Sequence, residues 1–149
     1  MPTIANRVRS DAGLASELRF GVMRLRRRLA VERHPDNELG LAAMSVLGCL
    51  FARGERTIGE LAAAEGVRPP SMTRTVTALE ADGYVARRPD PSDGRLVVVA
   101  LTEEGRACVL ADRARRDAWL ARRLADLTVE ERAVLRRAAP LLHRLAQED

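Results

Sequence analysis

One segment, residues 57–102, constrains the fold more than any other, because signals for two short helices, a turn and a hairpin follow one another in it without interruption. Thr57 and Glu60 have the spacing of a capping box, in which side chains and backbone at a helix start bond reciprocally. We expect this first helix to end near Gly66. The pair Pro69–Pro70 is tolerated only where a helix opens, since no backbone donor is needed there, so a second helix begins at that point.

The second helix has two chemically different faces when it is drawn at about 100° per residue. The inner, apolar face carries Met72, Thr75, Val76 and Leu79. The outer face carries Pro70, Ser71, Arg74, Thr77 and Ala78. Small side chains let a helix approach base edges, hydroxyls can reach phosphates, and Arg can pair with guanine through two hydrogen bonds. The outer face therefore has the chemistry of a DNA-recognition helix.

A β-hairpin is predicted directly after this helix. Gly83 can take the left-handed conformation that ends a helix, and residues 84–88 and 95–101 are rich in β-branched or aromatic side chains. Between them lies PDPSDG, a dense turn signal. A guanidinium near the tip could enter a minor groove, with a neighbouring carboxylate holding it in place. The hairpin residues expected at DNA are Arg87, Arg88, Asp93 and Arg95.

Taken together, the segment resembles the DNA-binding lobe of the multiple antibiotic resistance regulator (MarR) family of winged helix-turn-helix transcriptional regulators. The stretches that carry the resemblance are SMTRTVTALEADGYVARR and DPSDGRLVVVALTEEG. The family pattern is matched at Thr73, Arg74, Leu79, Glu80, Gly83, Arg87, Asp93, Arg95, Leu101 and Thr102. Gly94 departs from it, because the family usually has a second Arg there. The resemblance implies DNA contacts at Pro70, Ser71, Thr73, Arg74, Thr77, Arg87, Arg88, Asp93 and Arg95.

Composition agrees with a DNA-binding protein without proving one. The chain has 149 residues, a net charge of +4 and a pI near 10.3, which favours an anionic partner, with nucleic acid ahead of membrane. All 25 basic residues are Arg, although a bias toward GC-rich codons explains this equally well. No apolar run of membrane-spanning length and no signal peptide is present, so we expect a cytoplasmic protein without membrane contact.

Helices are also predicted on both sides of the winged segment, which makes the expected fold mainly α with one small hairpin. An amphipathic helix covers residues 11–33 after a loose start at 1–10, and His34, Pro35, Asp36 and Asn37 break it. A largely buried helix follows over 41–52. Thr102 caps a long helix reaching residue 126, and Thr128 with Glu131 forms a second capping box. Pro140 inside the last helix predicts a kink or break there.

The terminal helices carry more apolar surface than the winged segment could cover, and a homodimer resolves this excess. We expect a dimerisation lobe built from residues 1–34 and 103–149, around a DNA-binding lobe at 35–102. A two-fold axis would present two recognition helices to successive major grooves, about 34 Å apart. The expected partner is thus double-stranded DNA carrying a pseudo-palindromic operator.

The leading hypothesis is a transcriptional repressor that a small aromatic or anionic molecule releases from its operator. In the family the helix at 41–52 helps to wall a ligand cleft, for which the candidates are Met44, Leu47, Leu50 and Phe51. One alternative is a winged-helix module that binds proteins and not specific DNA. Another is a redox-sensing regulator that uses Cys49 or Cys108. We expect no enzyme activity, cofactor or metal site, since no nucleophile–base pair, phosphate loop or ligand spacing is present.

Overall fold

The computed structural model describes residues 11–33 and 37–147, and within these it is helical apart from one small antiparallel sheet. The expected fold class is confirmed. The elements in chain order are α1 (Asp11–Val31), α2 (Leu41–Arg53), β1 (Arg56–Thr57), α3 (Ile58–Glu65), α4 (Pro69–Ala81), β2 (Val85–Pro89), β3 (Val97–Leu101), α5 (Glu103–Ala125) and α6 (Val129–Leu145). The expectations for residues 1–10 and for His34, Pro35 and Asp36 lie outside the described residues.

The chain divides into two compact units, which we call the winged unit and the terminal unit. The winged unit is Arg33–Ala114, and the terminal unit comprises the described residues of Met1–Glu32 and Arg115–Asp149. The boundary therefore falls inside α5, whereas the sequence suggested a division near residue 103. The first half of α5 belongs to the winged unit because Val109 is buried in that unit's core.

Helices α3 and α4 of the winged unit start and end at the residues that the sequence predicted. The Thr57 hydroxyl accepts a hydrogen bond from the Glu60 amide at 3.1 Å, and Gly66 ends α3 with φ 63°. The Glu60 carboxylate lies 3.7 Å from Nε of Arg56, which gives it a different partner from the one a reciprocal capping box requires. Gly83, with φ 83°, turns the chain from α4 into the hairpin.

The sheet has the order β1–β3–β2, so the hairpin is joined by a third strand that the sequence did not predict. The extra strand is β1, whose Thr57 pairs with Val98. On the other side of β3, Arg87 pairs with Val99 and Arg88 with Val98. Alternate residues of a strand point to opposite faces. The two arginines therefore leave the sheet in opposite directions.

A single buried cluster holds the winged unit together. Its members are Val46, Leu47, Leu50, Leu61, Ala62, Met72, Val76, Leu79, Val85, Val99 and Val109. The predicted inner face of α4 is confirmed at the three large apolar positions, and Thr75 is half-buried beside them. Burying such side chains contributes roughly 1.5–3 kcal/mol each before the entropy of ordering them is subtracted.

The start of α5 is held tightly against the base of the hairpin. Thr102 donates its hydroxyl to the Gly83 carbonyl at 2.6 Å, and its backbone N–H to the Tyr84 carbonyl at 3.1 Å. A Cβ built on Gly105 would lie 2.1 Å from the same Tyr84 carbonyl oxygen. Only glycine permits this approach without a shift of the backbone, and the two ends of the hairpin therefore meet at one fixed place.

The terminal unit contrasts with this packing, because neither α1 nor α6 has a buried residue among those described. Thr128 and Glu131 form the predicted capping box, with bonds of 2.8 and 3.1 Å. Of the kink or break predicted at Pro140, the break is wrong, since α6 continues through that residue to Leu145. Proline deprives the helix of one bond to the Arg136 carbonyl, and Arg136 lies on an exposed turn where water can satisfy that oxygen.

Candidate nucleic-acid interface

The outer face of α4 presents one exposed guanidinium, that of Arg74. Arg74 is exposed, and it has no hydrogen-bond or ion-pair partner among residues 11–33 and 37–147. Its neighbours Pro70 and Thr73 are also exposed, while Ser71 is half-buried. A free Arg among small side chains can reach a base edge without first breaking an intramolecular bond.

The threonine hydroxyls on this face already donate within the helix. Thr73 donates to the Pro69 carbonyl at 3.0 Å, and Thr77 donates to the Thr73 carbonyl at 2.7 Å. A phosphate oxygen is an acceptor, so either hydroxyl would have to leave its helix bond to donate to DNA. In the present rotamers the two side chains offer their methyl groups instead, which suit contact with thymine methyls.

The wing tip presents a second guanidinium, and here the predicted pairing is found. Nε of Arg95 lies 3.2 Å from Oδ1 of Asp93, and the same oxygen accepts the Arg95 backbone N–H at 3.1 Å. The Arg95 side chain remains 92% exposed. The turn before it is organised by Oδ1 of Asp90, which accepts the amides of Ser92 and Asp93 at 2.7 and 3.0 Å. A braced but exposed guanidinium is therefore offered to solvent.

The remaining two wing arginines are engaged with the protein. Arg87 donates from Nε and Nη2 to Oε1 of Glu80, at 3.1 and 2.9 Å. Arg88 donates from Nη2 to Oε2 of Glu55. The sequence pattern predicted the arginines and not their partners. Glu80 is part of the Leu-Glu pair of the family pattern, so one candidate partner was visible in the sequence. Nothing in the sequence indicates that Glu55 approaches Arg88, which lies 33 positions further along the chain.

The Glu80–Arg87 pair is charged under ordinary conditions. Hydrogen bonds from the Arg87 side chain, and then from its backbone N–H, lower the pKa of the Glu80 carboxyl. The Glu80 side chain in turn raises the pKa of the Arg87 guanidinium. Both groups are well exposed, so the pair serves geometry more than net stability.

The four candidate cleft residues fall into two groups. Leu47 and Leu50 are buried in the core of the winged unit, whereas Met44 and Phe51 are only partly buried. The guanidinium carbons of Arg106 and Arg113 lie 5.1 and 4.3 Å from the Phe51 ring centroid. Sequence reasoning did not single out these two arginines. Their seven-residue spacing on one helix is the signal that was available.

Polar and sulfur atoms cluster around Met44. Its Sδ lies 3.2 Å from Nδ2 of Asn37 and 4.0 Å from Sγ of Cys108. Nδ2 of Asn37 also donates to the buried Asp112 at 2.8 Å. Burial, then the charge of Asp112, raises the pKa of the Cys108 thiol, and the charge of Arg33 opposes this. The thiol is therefore held in its unreactive, protonated form.

The described residues offer neither a metal-binding cluster nor a membrane-spanning helix. No group of three or more His, Cys, Asp or Glu side chains there could hold a metal ion. No helix among them is long and apolar enough to cross a membrane.

Comparison with known proteins extends the similarity beyond the winged unit. Residues 39–97 match the model of the MarR family. An HTH-type transcriptional regulator from Mycobacterium bovis is 48% identical over 139 residues, which cover 93% of this chain and 96% of that protein. The HTH-type transcriptional repressor MdtR from Bacillus subtilis is 33% identical over 106 residues, with 71% and 66% covered.

Solved structures give the same result for the fold. A putative transcriptional regulator from Pseudomonas aeruginosa superimposes with a TM-score of 0.81 and 37% identity, and the match covers 99% of this chain and 100% of that one. The similarity therefore includes the terminal helices as well as the winged unit.

Proposed function

This chain belongs to the MarR family of DNA-binding transcriptional regulators, and from that premise we propose that it is a homodimeric repressor that a small ligand releases from a pseudo-palindromic operator. The similarity to a protein described as a transcriptional repressor supports the direction of regulation. We place its action in the cytoplasm, where it binds DNA without catalysing a reaction.

The observation that carries the proposal is the pair of exposed guanidiniums on two neighbouring elements. Arg74, free on α4, suits base recognition in a major groove, and Arg95, braced by Asp93 at the wing tip, suits an adjacent minor groove. Hydroxyls and methyls on α4 would add contacts to sugar, phosphate and thymine. The proposed interface comprises Pro70, Ser71, Thr73, Arg74, Thr77, Arg88, Asp93 and Arg95, with Arg87 beside it.

Uncovered apolar side chains on α1 and α6 support the homodimer. Large hydrophobic residues are exposed on both helices, at Leu14, Leu18, Phe20, Val22, Met23, Leu25 and Val31 and at Val129, Val134, Leu135, Leu141, Leu142 and Leu145. So many exposed large apolar side chains on two helices are typical of a protein interface. A second copy of the same chain is the partner we propose, since a two-fold axis also supplies the second recognition helix.

The effector we propose is a small aromatic or anionic molecule, and Met44 and Phe51 are the cleft candidates that remain accessible. Arg106 and Arg113 beside the Phe51 ring supply positive charge near an aromatic surface. A ligand that prefers a spacing of the recognition helices different from the one that fits DNA would shift the population away from the bound state.

The test is quantitative binding to DNA from upstream of the chain's own gene at two salt concentrations. We expect Arg74→Ala to lose about 1–3 kcal/mol of specific affinity and to keep its residual non-specific binding. Arg53→Ala is the matched control, because Arg53 is an exposed Arg of the same unit outside the proposed interface. Equal binding by the wild type and both variants, or a wild type that prefers no sequence, would overturn the proposal.

A further inference from the structure

We propose that Glu80 and Arg87 form a clamp that sets the position of the wing relative to the recognition helix, and that Arg87 is a positioning residue and not a phosphate contact. The inference rests on the DNA-binding function proposed above. It assigns to Glu80 a role in operator binding, although a carboxylate near a DNA-facing surface should by charge alone oppose such binding.

The clamp joins two elements at their functional ends. Glu80 lies in the last turn of α4, and Arg87 is the middle residue of β2. One carboxylate oxygen of Glu80, Oε2, accepts the backbone N–H of Arg87 at 3.0 Å, while Oε1 accepts two guanidinium bonds. The carboxylate therefore holds the main chain of the wing as well as its side chain.

The guanidinium has no nitrogen left without a partner. Beyond Nε and Nη2, which bind Glu80, Nη1 lies 3.4 Å from the Thr77 hydroxyl oxygen. The Thr77 hydroxyl in turn donates to the Thr73 carbonyl at 2.7 Å, which links the guanidinium to the backbone of α4. The planar fork of Arg matches a carboxylate in a way that the point charge of Lys cannot. Three of the five N–H groups of the Arg87 guanidinium are thus engaged within the protein, whereas those of Arg74 are all free for DNA.

The neighbouring residue provides an internal comparison. Arg88 follows Arg87 on β2, leaves the opposite face of the sheet, and pairs with Glu55 through one nitrogen. That pair is more exposed, with 43% and 50% of the two side chains accessible against 32% and 36% for Arg87 and Glu80. It ties β2 to the segment before β1 and makes no bond to α4. Two carboxylate–arginine pairs on one strand thus differ in whether they engage the recognition helix.

The two possible roles of Arg87 predict opposite signs for one substitution. If Arg87 were a phosphate contact restrained by Glu80, then Glu80→Gln would remove a negative charge, free the guanidinium and tighten DNA binding. If the pair is a clamp, Glu80→Gln replaces one accepting oxygen with a donating amide, which faces either the Arg87 backbone N–H or the Arg87 guanidinium, and the wing is loosened. We expect operator affinity to fall about five- to tenfold, the scale of one weakened charge-assisted hydrogen bond at a partly exposed site.

A second variant separates charge from geometry. Arg87→Lys keeps the positive charge and removes the fork, so the clamp predicts weaker operator binding, while a phosphate contact predicts little change. The matched control is Glu55→Gln, which frees Arg88 in the same way without touching α4, and for it we expect operator affinity to stay the same or to increase.

The decisive readouts are the salt dependence of binding and a hydroxyl-radical footprint on the operator, measured with full-length dimeric protein. The clamp predicts that Glu80→Gln and Arg87→Lys make the slope of log affinity against log salt shallower, because the wing loses its cationic contact with DNA. A phosphate contact made by Arg87 itself would survive Arg87→Lys and leave the slope of that variant unchanged. The clamp also predicts that both variants lose the minor-groove protection given by the wing and retain the major-groove protection given by α4. Circular dichroism and sedimentation confirm that each variant is folded and dimeric.

Each outcome has a defined meaning. Tighter or unchanged binding by Glu80→Gln overturns the clamp, as does an equal loss in Glu55→Gln. If Glu80→Gln fails to fold, Arg87→Lys decides alone, because it preserves both charges. A wild type that binds no operator in preference to other DNA removes the proposed function itself, and that result is distinct from any result on the variants.

Discussion

The winged unit and the terminal helices α1 and α6 handle apolar side chains in different ways. The winged unit buries hydrophobic residues from four helices and a sheet in one cluster. Helices α1 and α6 contribute no buried residue, and they expose aromatic and aliphatic side chains along their length. The difference indicates that the winged unit has a hydrophobic core of its own, and it supports the proposal that a second copy of the chain covers the terminal helices.

The largest loss of stability should follow from a cavity in the core of the winged unit. Leu47 is fully buried in the winged unit, so Leu47→Ala should cost about 2–5 kcal/mol of unfolding free energy. Urea denaturation at several protein concentrations measures it, and the loss should not depend on concentration. A cost that vanished at high concentration would mean that the winged core also depends on the partner.

A charge introduced on helix α1 of the terminal unit should weaken the proposed dimer. Phe20 is 60% exposed on α1, and Phe20→Glu should weaken the dimer by roughly 2 kcal/mol or more. It removes an aromatic ring and desolvates a carboxylate at the interface, a cost that the Arg24 guanidinium, 5.5 Å from the Phe20 ring centroid, offsets only in part. Sedimentation measures the shift toward monomer. Ala63→Glu, which places the same charge on an exposed position of α3, is the control and should leave the dimer intact. A dimer unaffected by Phe20→Glu would exclude this face of α1 from the interface.

Helix caps offer a smaller comparison between the same two regions. Thr57 and Thr128 each accept an amide hydrogen bond at 3.1 Å, but only Thr128 also donates its backbone N–H to the side chain of its partner glutamate. Substitution of either threonine by Ala should cost about 1 kcal/mol, whereas Glu131→Ala should cost more than Glu60→Ala, because only Glu131 accepts that backbone N–H. Thermal unfolding of the two glutamate variants tests the order, and equal costs would show that the reciprocal bond contributes nothing.

The smallest effect is a pH dependence in the winged unit. Because Arg87 holds the pKa of Glu80 below its ordinary value, the pair contributes stability above the ordinary Glu pKa of about 4.3 and loses it as pH falls through the lowered value. The melting temperatures of wild type and Glu80→Gln should therefore differ at pH 6, and the difference should shrink as the pH falls below the ordinary Glu value. A melting-temperature difference that stayed constant as the pH fell would show that the ionic contact between Glu80 and Arg87 contributes nothing to stability.

The features that sequence predicted correctly depend on near neighbours along the chain. Gly66, Gly83 and the capping box at Thr128 each act within a few residues, where the chemistry of turns and helix ends decides the conformation. The strand β1 was missed because its two residues become a strand only by pairing with β3, about forty positions away. Local pattern carries no signal for such a pairing.

The candidate site divides in the same way. The positions of Arg74 and Arg95 followed from helix periodicity and turn chemistry, and so did the bond between Asp93 and Arg95. The partners of Arg87 and Arg88 could not be predicted, because they depend on how α4 and the segment before β1 pack around the sheet. Of the kink or break predicted at Pro140, the break failed for a different reason, since the Arg136 carbonyl that loses its helix bond is on an exposed turn where water can satisfy it, and α6 continues.

The tight junction at the base of the hairpin bears on how this architecture can change over evolutionary time. Gly105 packs against the Tyr84 carbonyl, and Thr102 closes the other end of the wing onto Gly83. The two exits of the loop are thereby anchored independently of its length. Insertions or deletions between Pro89 and Val97 can reshape the reach of the wing along a groove while the long helix that follows keeps its starting point. New operator preferences can thus arise at the tip without redesign of the scaffold.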